Sequence, residues 1–413
     1  MSPEQYNYHQ HIRFIIKLGR ALHECGVNSE RTEQHLSNVT RMLGLNGSFL
    51  ISPTTFTCAF WEDDELDQFV HIERVEPSGY DLGRLWEIDQ LVEQIELGQT
   101  DFTQALAELK KLQESPPNYS FITNTFSWFL TGGCFSILLS DNPINALVAG
   151  VISVFIFLIV QKTSSSASWR PVATILGALA SGALASTVAA VGLPTNPPLV
   201  VLSSIIIFVP GLALTVALTE VSAGHLISGC SRLVDAIMIL LKLFFGAVSG
   251  LALIRFFFDS TPPIFPDFGE VSAMPSWRVW PALVGLAISL AIGLNIPRRR
   301  IGWVLFAIII AFVSSTLGES HFGIFAGVFL GALTVGVFAN LFSRITRGPG
   351  SVLMTCGILV LVPGSKVYAI LNQWVSGETI LPGQSSSTAL MAFVSLTAGL
   401  LFSNAFLPAR KSL

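Results

Sequence analysis

Phe208-Val209-Pro210-Gly211-Leu212 interrupts one apolar run, 199–219, and Leu361-Val362-Pro363-Gly364-Ser365 interrupts another, 352–373, 153 residues later. Proline removes a backbone donor and clashes with the preceding turn, and glycine adds conformational freedom, so each pair is expected to break a helix at mid-length. Inside a bilayer, irregular backbone is tolerated only where protein or a water-filled cavity surrounds it. The fold therefore turns on whether these runs cross a membrane.

The composition says that they do. The chain is 51% hydrophobic and 12% charged, with a mean hydropathy of +0.62, outside the range of water-soluble domains. Its charge is unevenly spread: residues 1–118 hold 19 of the 27 acidic and 9 of the 23 basic side chains, whereas the remainder is net basic. Two solvents are implied, so we divide the chain into an N-terminal α+β domain (1–118) and two membrane repeats (119–258 and 259–413). In the first, helical spacing over 11–24, a second helix from Ser29, strand-like stretches at 48–52, 54–61 and 69–75, and amphipathic helices over 81–97 and 101–113 are expected, with a turn at Asp63-Asp64-Glu65. Met1-Ser2-Pro3-Glu4-Gln5 lacks the features of a secretory signal, so this domain is expected to stay in the cytoplasm.

Ten apolar stretches follow, each of about the length a bilayer requires of a helix: 121–139, 144–160, 171–191, 199–219, 233–256, 279–294, 301–317, 322–342, 352–373 and 388–406. With the first domain inside, the inner connections carry Lys162, Arg170, Arg232, Arg298 to Arg300, Arg344, Arg347, Arg410 and Lys411. The outer ones carry mainly acidic residues, Arg278 being the chief exception. That asymmetry satisfies the positive-inside rule, with both termini expected in the cytoplasm.

The two halves resemble each other. Leu176-Gly177-Ala178-Leu179-Ala180-Ser181-Gly182 recurs as Leu330-Gly331-Ala332-Leu333-Thr334-Val335-Gly336, and the broken runs follow at nearly the same offset. Five spans per copy is an odd number, so the copies enter the membrane from opposite sides. The fold class expected is a polytopic α-helical membrane protein with ten transmembrane helices in a 5+5 inverted repeat. Such repeats with matching broken helices are the usual build of secondary transporters, with substrate near the midplane.

Ionisable groups in apolar runs are site candidates, because burying them is costly. Glu220 ends the fourth run, where a solvated helix end is the plainer alternative. Asp235 and Lys242 share a helical face with Arg232 one turn before Asp235, a spacing that also suits an interfacial ion pair. Lys366 follows Pro363 by three residues, and a deep ammonium there could bind a substrate carboxylate, although it could instead snorkel to an interface. The substrate-binding set expected is Val209, Pro210, Gly211, Thr215, Pro363, Gly364, Lys366 and Tyr368, with Glu220 and Asp235 coupling protons, since partial desolvation favours the neutral form of a carboxyl group. Ser203, Ser204, Thr219 and Thr355 add hydroxyls near the breaks, although such groups commonly bond their own helix. Arg298-Arg299-Arg300 is read as a topology anchor, and the small-residue ladders as helix-packing surfaces.

Other functions are disfavoured. There is no phosphate-cradling G-x-x-x-x-G-K-[ST] loop and no H-E-x-x-H pair, so transport is expected to run on ion gradients, and no cofactor or metal is predicted. The five cysteines are scattered and suggest neither a disulfide framework nor a zinc site. No basic run fits nucleic acid.

Val209-Pro210-Gly211 followed by Glu220, Gly224-His225, Gly229 and Arg232 resembles the signature of the threonine/serine exporter family. Gly19 to Gly26 with Glu30-Arg31-Thr32-Glu33 is similar to its cytoplasmic domain. Asn295-Ile296-Pro297-Arg298-Arg299 and Val362-Pro363-Gly364 with Tyr368 resemble the smaller partner that some members encode as a separate polypeptide. The likeness covers nearly the whole chain and implies a fused form that exports threonine and serine under the proton motive force. Related split systems are implied to export succinate. Thr215-Val216 stand where an Asn often follows the break in that family. The partners implied are a small-molecule substrate (threonine, serine or similar), protons and the lipid bilayer, with room for a homo-oligomer. A C4-dicarboxylate exporter, a membrane-anchored sensor or scaffold, and a membrane enzyme are the competing functions.

Overall fold

Alternation of apolar and polar residues in the N-terminal segment is resolved into helices packed on a small sheet. The computed structural model describes residues 3–61, 67–76, 79–140, 142–257, 277–346, 348–361 and 386–408. Helices α1 (Pro3–Glu24) and α2 (Ser29–Met42) precede strands β1 (Asn46–Ser52), β2 (Thr55–Trp61) and β3 (Gln68–Arg74), followed by α3 (Leu82–Glu96) and α4 (Phe102–Glu114). The sheet is antiparallel in the order β1-β2-β3. Period-two alternation turns Phe56, Cys58 and Phe60 of β2 inward, each fully buried, into the same core as Phe14, Ile15 and Leu18 of α1. The expected turn at Asp63-Asp64-Glu65 lies outside the described residues.

Six described helices are long and apolar enough to cross a bilayer: α5 (Phe121–Leu139), α6 (Pro143–Ser164), α7 (Ala173–Ala190, with the 3₁₀ turn before it), α10 (Leu226–Phe257), α12 (Ile301–Phe322, likewise extended) and α13 (Ile324–Thr346). The apolar run 199–219 is two helices, α8 (Pro197–Ile205) and α9 (Gly211–Ser222), joined by a 3₁₀ turn and bent by 53°. Taken as one broken span they make a seventh crossing. Shorter apolar helices are α11 (Val279–Gly293), α14 (Gly350–Leu361) and the Leu390–Phe406 part of α15 (Ser386–Phe406). The protein is thus a polytopic helical membrane protein. Large apolar side chains such as Leu147, Phe155, Phe245 and Phe306 point outward along these helices, as surfaces facing lipid require.

Glycines set the closest crossings. A Cβ on Gly182 of α7 would lie 2.3 Å from the Ala247 carbonyl oxygen of α10, and one on Gly336 of α13 would lie 2.1 Å from Ser403 Oγ of α15. Reciprocally, Gly250 of α10 faces the Leu179 carbonyl at 2.2 Å and Gly399 of α15 faces that of Phe329 at 2.5 Å. With no hydrophobic drive between helices in lipid, such backbone approach supplies the packing energy.

The N-terminal unit is not separate from these helices. Its buried residues share one apolar core with those of α11 to α15, while α6, α7, α8 and α10 build a second. Trp86 of α3 packs edge-on against Phe342 of α13 and receives the Arg300 guanidinium 4.6 Å above its ring.

Candidate functional site

At the first break, Pro210 cannot continue the hydrogen-bond ladder, and α8 tightens into a 3₁₀ turn over Ile206–Phe208 that ends when the Val209 N–H donates to the Ile206 carbonyl at 3.1 Å. Pro210 caps the next helix, its carbonyl accepting from Leu214 N–H at 2.9 Å. Val209 packs against apolar neighbours and Pro210 and Gly211 are buried. Ser204 does not face an open site: its hydroxyl meets Ser181 Oγ at 2.6 Å and its carbonyl accepts from Ser153 at 3.2 Å, tying α8 to α7 and α6. We expect Ser204→Ala to cost about 0.5–1 kcal/mol, the worth of an interhelical hydrogen bond in a membrane, read as a small drop in thermal unfolding temperature in detergent.

From the break, α9 runs to a tight corner with α10. Gly224 adopts φ +90°, a conformation strained for other residues, and the His225 N–H returns to the Glu220 carbonyl at 2.9 Å. A Cβ on Gly229 would meet Val221 Cγ2 at 2.6 Å and the Ala217 oxygen at 2.8 Å, so the corner closes only with glycine there. Glu220 is 0% exposed; the solvated helix end considered from the sequence does not hold. The Ser29 N–H, first in α2, donates to Glu220 Oε1 at 2.8 Å, and the Ser228 hydroxyl donates to Oε2 at 2.7 Å. Ser29 Oγ and Ser228 Oγ are 2.7 Å apart, and Arg232 Nε lies 3.2 Å from Oε2. The carboxylate therefore satisfies the N-terminus of α2, where negative charge is favoured, and binds the N-terminal unit to α9 and α10. Beside it, Glu33 accepts from Ile51 N–H at 3.0 Å and faces His225 Nδ1 at 3.6 Å. Burial pushes the Glu33 carboxyl above its usual range, and those two partners pull it back.

A second seam joins the unit to the α11–α12 connection. Asn295 holds φ +59°, the left-handed region that asparagine tolerates. Its side-chain amide donates to both Asp81 oxygens at 3.2 Å, and its Oδ1 accepts from Asn118 N–H at 2.8 Å. Leu82 N–H donates to the Leu294 carbonyl at 3.0 Å.

Between these seams lies a cavity of about 510 Å³, walled by the start of α2, by α9, by α14 and by the end of α15. This is the size of a small-molecule site. Thr215 and Thr219 of α9, Thr355 and Ser351 of α14, and Asn404 of α15 contribute polar groups, and Leu212 and Ile358 apolar ones. Arg31 of α2 enters from the N-terminal side, its Nη2 3.1 Å from Met354 Sδ. Burial pulls its guanidinium below the ordinary arginine range, partly opposed by Glu30.

Of the residues expected to bind substrate, Thr215 lines the cavity, whereas Val209, Pro210 and Gly211 shape the α9 wall from behind without lining it. Pro363, Gly364, Lys366 and Tyr368 lie outside the described residues. Of the proton-coupling pair, Glu220 sits at the docking seam. Asp235 is exposed on α10 beside the outward-facing Val234, Ile237 and Met238, away from the cavity. The ion pair considered between Arg232 and Asp235 is replaced by Arg232 with Glu220, because the α9–α10 corner folds Glu220 back toward it. Sequence reasoning did not select Arg31, Ser351 or Asn404; an arginine in the first turn of a helix, against the dipole preference, was the available signal for the first.

Comparison with known proteins agrees on one group. A family model described as "Putative threonine/serine exporter" matches residues 13–254, and a second, "Threonine/Serine exporter, ThrE", matches 282–406. The chain is 23% identical to a threonine/serine exporter of Corynebacterium glutamicum, over 97% of this chain and 84% of that protein. It is 24% identical to a probable threonine/serine exporter of Mycobacterium tuberculosis, over 72% of this chain and 57% of that one. Pheromone-regulated membrane protein 10 of Candida albicans is 24% identical over 86% of this chain, which spans 32% of the fungal protein's length. No solved structure matches.

Proposed function

Because the chain belongs to the threonine/serine exporter family, we propose that it exports a small hydroxy amino acid, threonine or serine, across the bacterial inner membrane, driven by the proton motive force. The observation that carries this reading is the cavity bounded by α9, the half-helix that restarts after Pro210, and by α14, the short helix leading to the second Val-Pro-Gly. Half-helices meeting at a polar cavity are how transporters hold solutes inside the bilayer.

Ten spans are proposed: the six long helices, the broken pair and the three shorter apolar helices. The glycine crossings at positions 182 and 336, the first between α7 and α10 and the second between α13 and α15, support an inverted repeat of five and five. The net-basic connections support a cytoplasmic N-terminal domain and C-terminus. The cavity then opens toward the cytoplasm, and alternating access exposes it to the outside. Glu220 is the proposed proton carrier. Its protonation would weaken the hydrogen bonds from Ser29 and Ser228 and the ion pair with Arg232, with His225, Glu33 and Tyr80 among the titratable groups around it, and so loosen α2 over the cavity.

Proteoliposomes loaded with labelled threonine or serine are expected to release it faster under an imposed proton gradient. Release of both at a rate indifferent to the gradient would overturn the reading. A C4-dicarboxylate is the competing substrate, favoured by the cationic Arg31 in the cavity; competition by succinate but not by threonine would decide for it.

A further inference from the structure

Arg31 is half-buried in the wall of the cavity, in surroundings that ask for an anion. Its guanidinium offers five N–H donors in a rigid fork, yet the contact it makes is with the thioether of Met354, a weak acceptor, at 3.1 Å. Among the described residues no carboxylate lies within ion-pair distance of it. Glu30, which also lines the cavity, acts on it only from beyond that distance; a charge partly withdrawn from water without a close counter-charge is costly, and that cost is ordinarily offset by pairing. Across the same cavity, Ser351 Oγ is buried and has no hydrogen-bond partner among the described residues. Thr215, Thr355 and Asn404 line the space between.

We infer that Arg31 binds the carboxylate of the transported solute, in a site shared between the N-terminal unit and the membrane helices. The planar fork matches a carboxylate bidentately and Ser351 adds a hydroxyl donor; for the solute's other polar groups there are Thr355, the side-chain amide N–H of Asn404, whose Oδ1 already accepts from Asn340, and the oxygen of Thr215, whose hydroxyl already donates to the Gly211 carbonyl. The N-terminal unit is then part of the recognition site. The latch at Glu220 acquires a reason: it positions the first turn of α2, and Arg31 with it, over α9 and α14. The inference rests on the exporter reading only for the identity of the solute, since the chemistry recognised is a small carboxylate.

The test is binding to the full chain in detergent, by calorimetry and by ligand-induced thermal shift, with L-threonine, succinate and L-threoninol, which replaces the carboxylate by an alcohol. Wild type is expected to bind at least one of the carboxylates and not threoninol. Arg31→Gln should weaken that binding roughly 10- to 100-fold, the worth of a charge-assisted hydrogen bond. Arg31→Lys, which keeps the charge but loses the fork, should fall between. A ligand-free melting temperature unchanged in either variant separates lost recognition from lost folding, and the lysine variant serves if the glutamine one does not fold. Binding of threoninol as tight as threonine, no carboxylate binding by wild type, or wild-type affinity in both variants would overturn the assignment. Arg31-dependent succinate binding without threonine flux would instead overturn the amino-acid reading and leave this one standing.

Discussion

Glu220→Ala is expected to lower the unfolding free energy by about 3–5 kcal/mol, the cost of removing one partner from a buried charged pair. Its carboxylate is fully buried, and the Arg232 side chain it pairs with is only 17% exposed, so water cannot take its place. The loss also orphans the Ser29 N–H and the Ser228 hydroxyl. Chemical denaturation in detergent measures the total, and hydrogen exchange locates it: amides of the first turn of α2 should exchange faster, while those of α7 should not. Glu220→Gln keeps an acceptor for Ser29 but sets a neutral amide against Arg232, so a smaller loss of about 1–3 kcal/mol is expected. Glu220→Ala within 1 kcal/mol of wild type, with the α2 amides still protected, would refute the docking role.

The second large effect belongs to a glycine. A Cβ on Gly83 would lie 2.0 Å from the Asn295 carbonyl oxygen and 2.9 Å from its carbonyl carbon. Both are backbone atoms of a residue already held at φ +59°, so no rotamer change relieves the clash. Gly83→Ala should force the seam apart and break the Leu82-to-Leu294 and Asn295-to-Asp81 bonds together. Overpacking plus these bonds amounts to about 3 kcal/mol or more. Gly293→Ala is the control, because an added methyl there meets nothing within 4 Å; it should stay within about 0.5 kcal/mol of wild type. Limited proteolysis should cut the Gly83 variant faster around residues 79–82, and equal rates for the two variants would refute the tight seam.

Much of this architecture was legible because its causes are local. The break at Pro210 follows from a missing N–H, and the strands read at 48–52, 54–61 and 69–75 lie within a residue or two of those found. The 121–139 run matches α5 end to end because Ser120 caps it by accepting from Thr123 N–H. Helices ran past their apolar stretches where polar corners continued them: α10 starts at Leu226 rather than 233, since the Glu220–Arg232 corner is itself helical on its far side. The site was less legible. Thr215 is reachable from its spacing after Pro210, but Glu30-Arg31-Thr32-Glu33 reads as an ordinary solvated helix start until tertiary packing lays it against α14. Asn295 likewise reads as a turn residue before a basic anchor, and only its left-handed backbone and the residues that meet it reveal a clamp.

The two seams also set an order of assembly. Ser29 finds its acceptor 191 residues further along the chain, and Asp81 its amide 214 residues further along. At translation rates of about 5–20 residues per second, the N-terminal unit, which ends at Glu114, is complete for roughly 5–20 s before Glu220 is synthesised and for roughly 10–35 s before Asn295 is. Throughout that interval the first turn of α2 and the Gly83 face lack the groups that later cover them, so neither seam can close while the unit is being made. Both seams are therefore late contacts, closed only when the helices that carry Glu220 and Asn295 arrive.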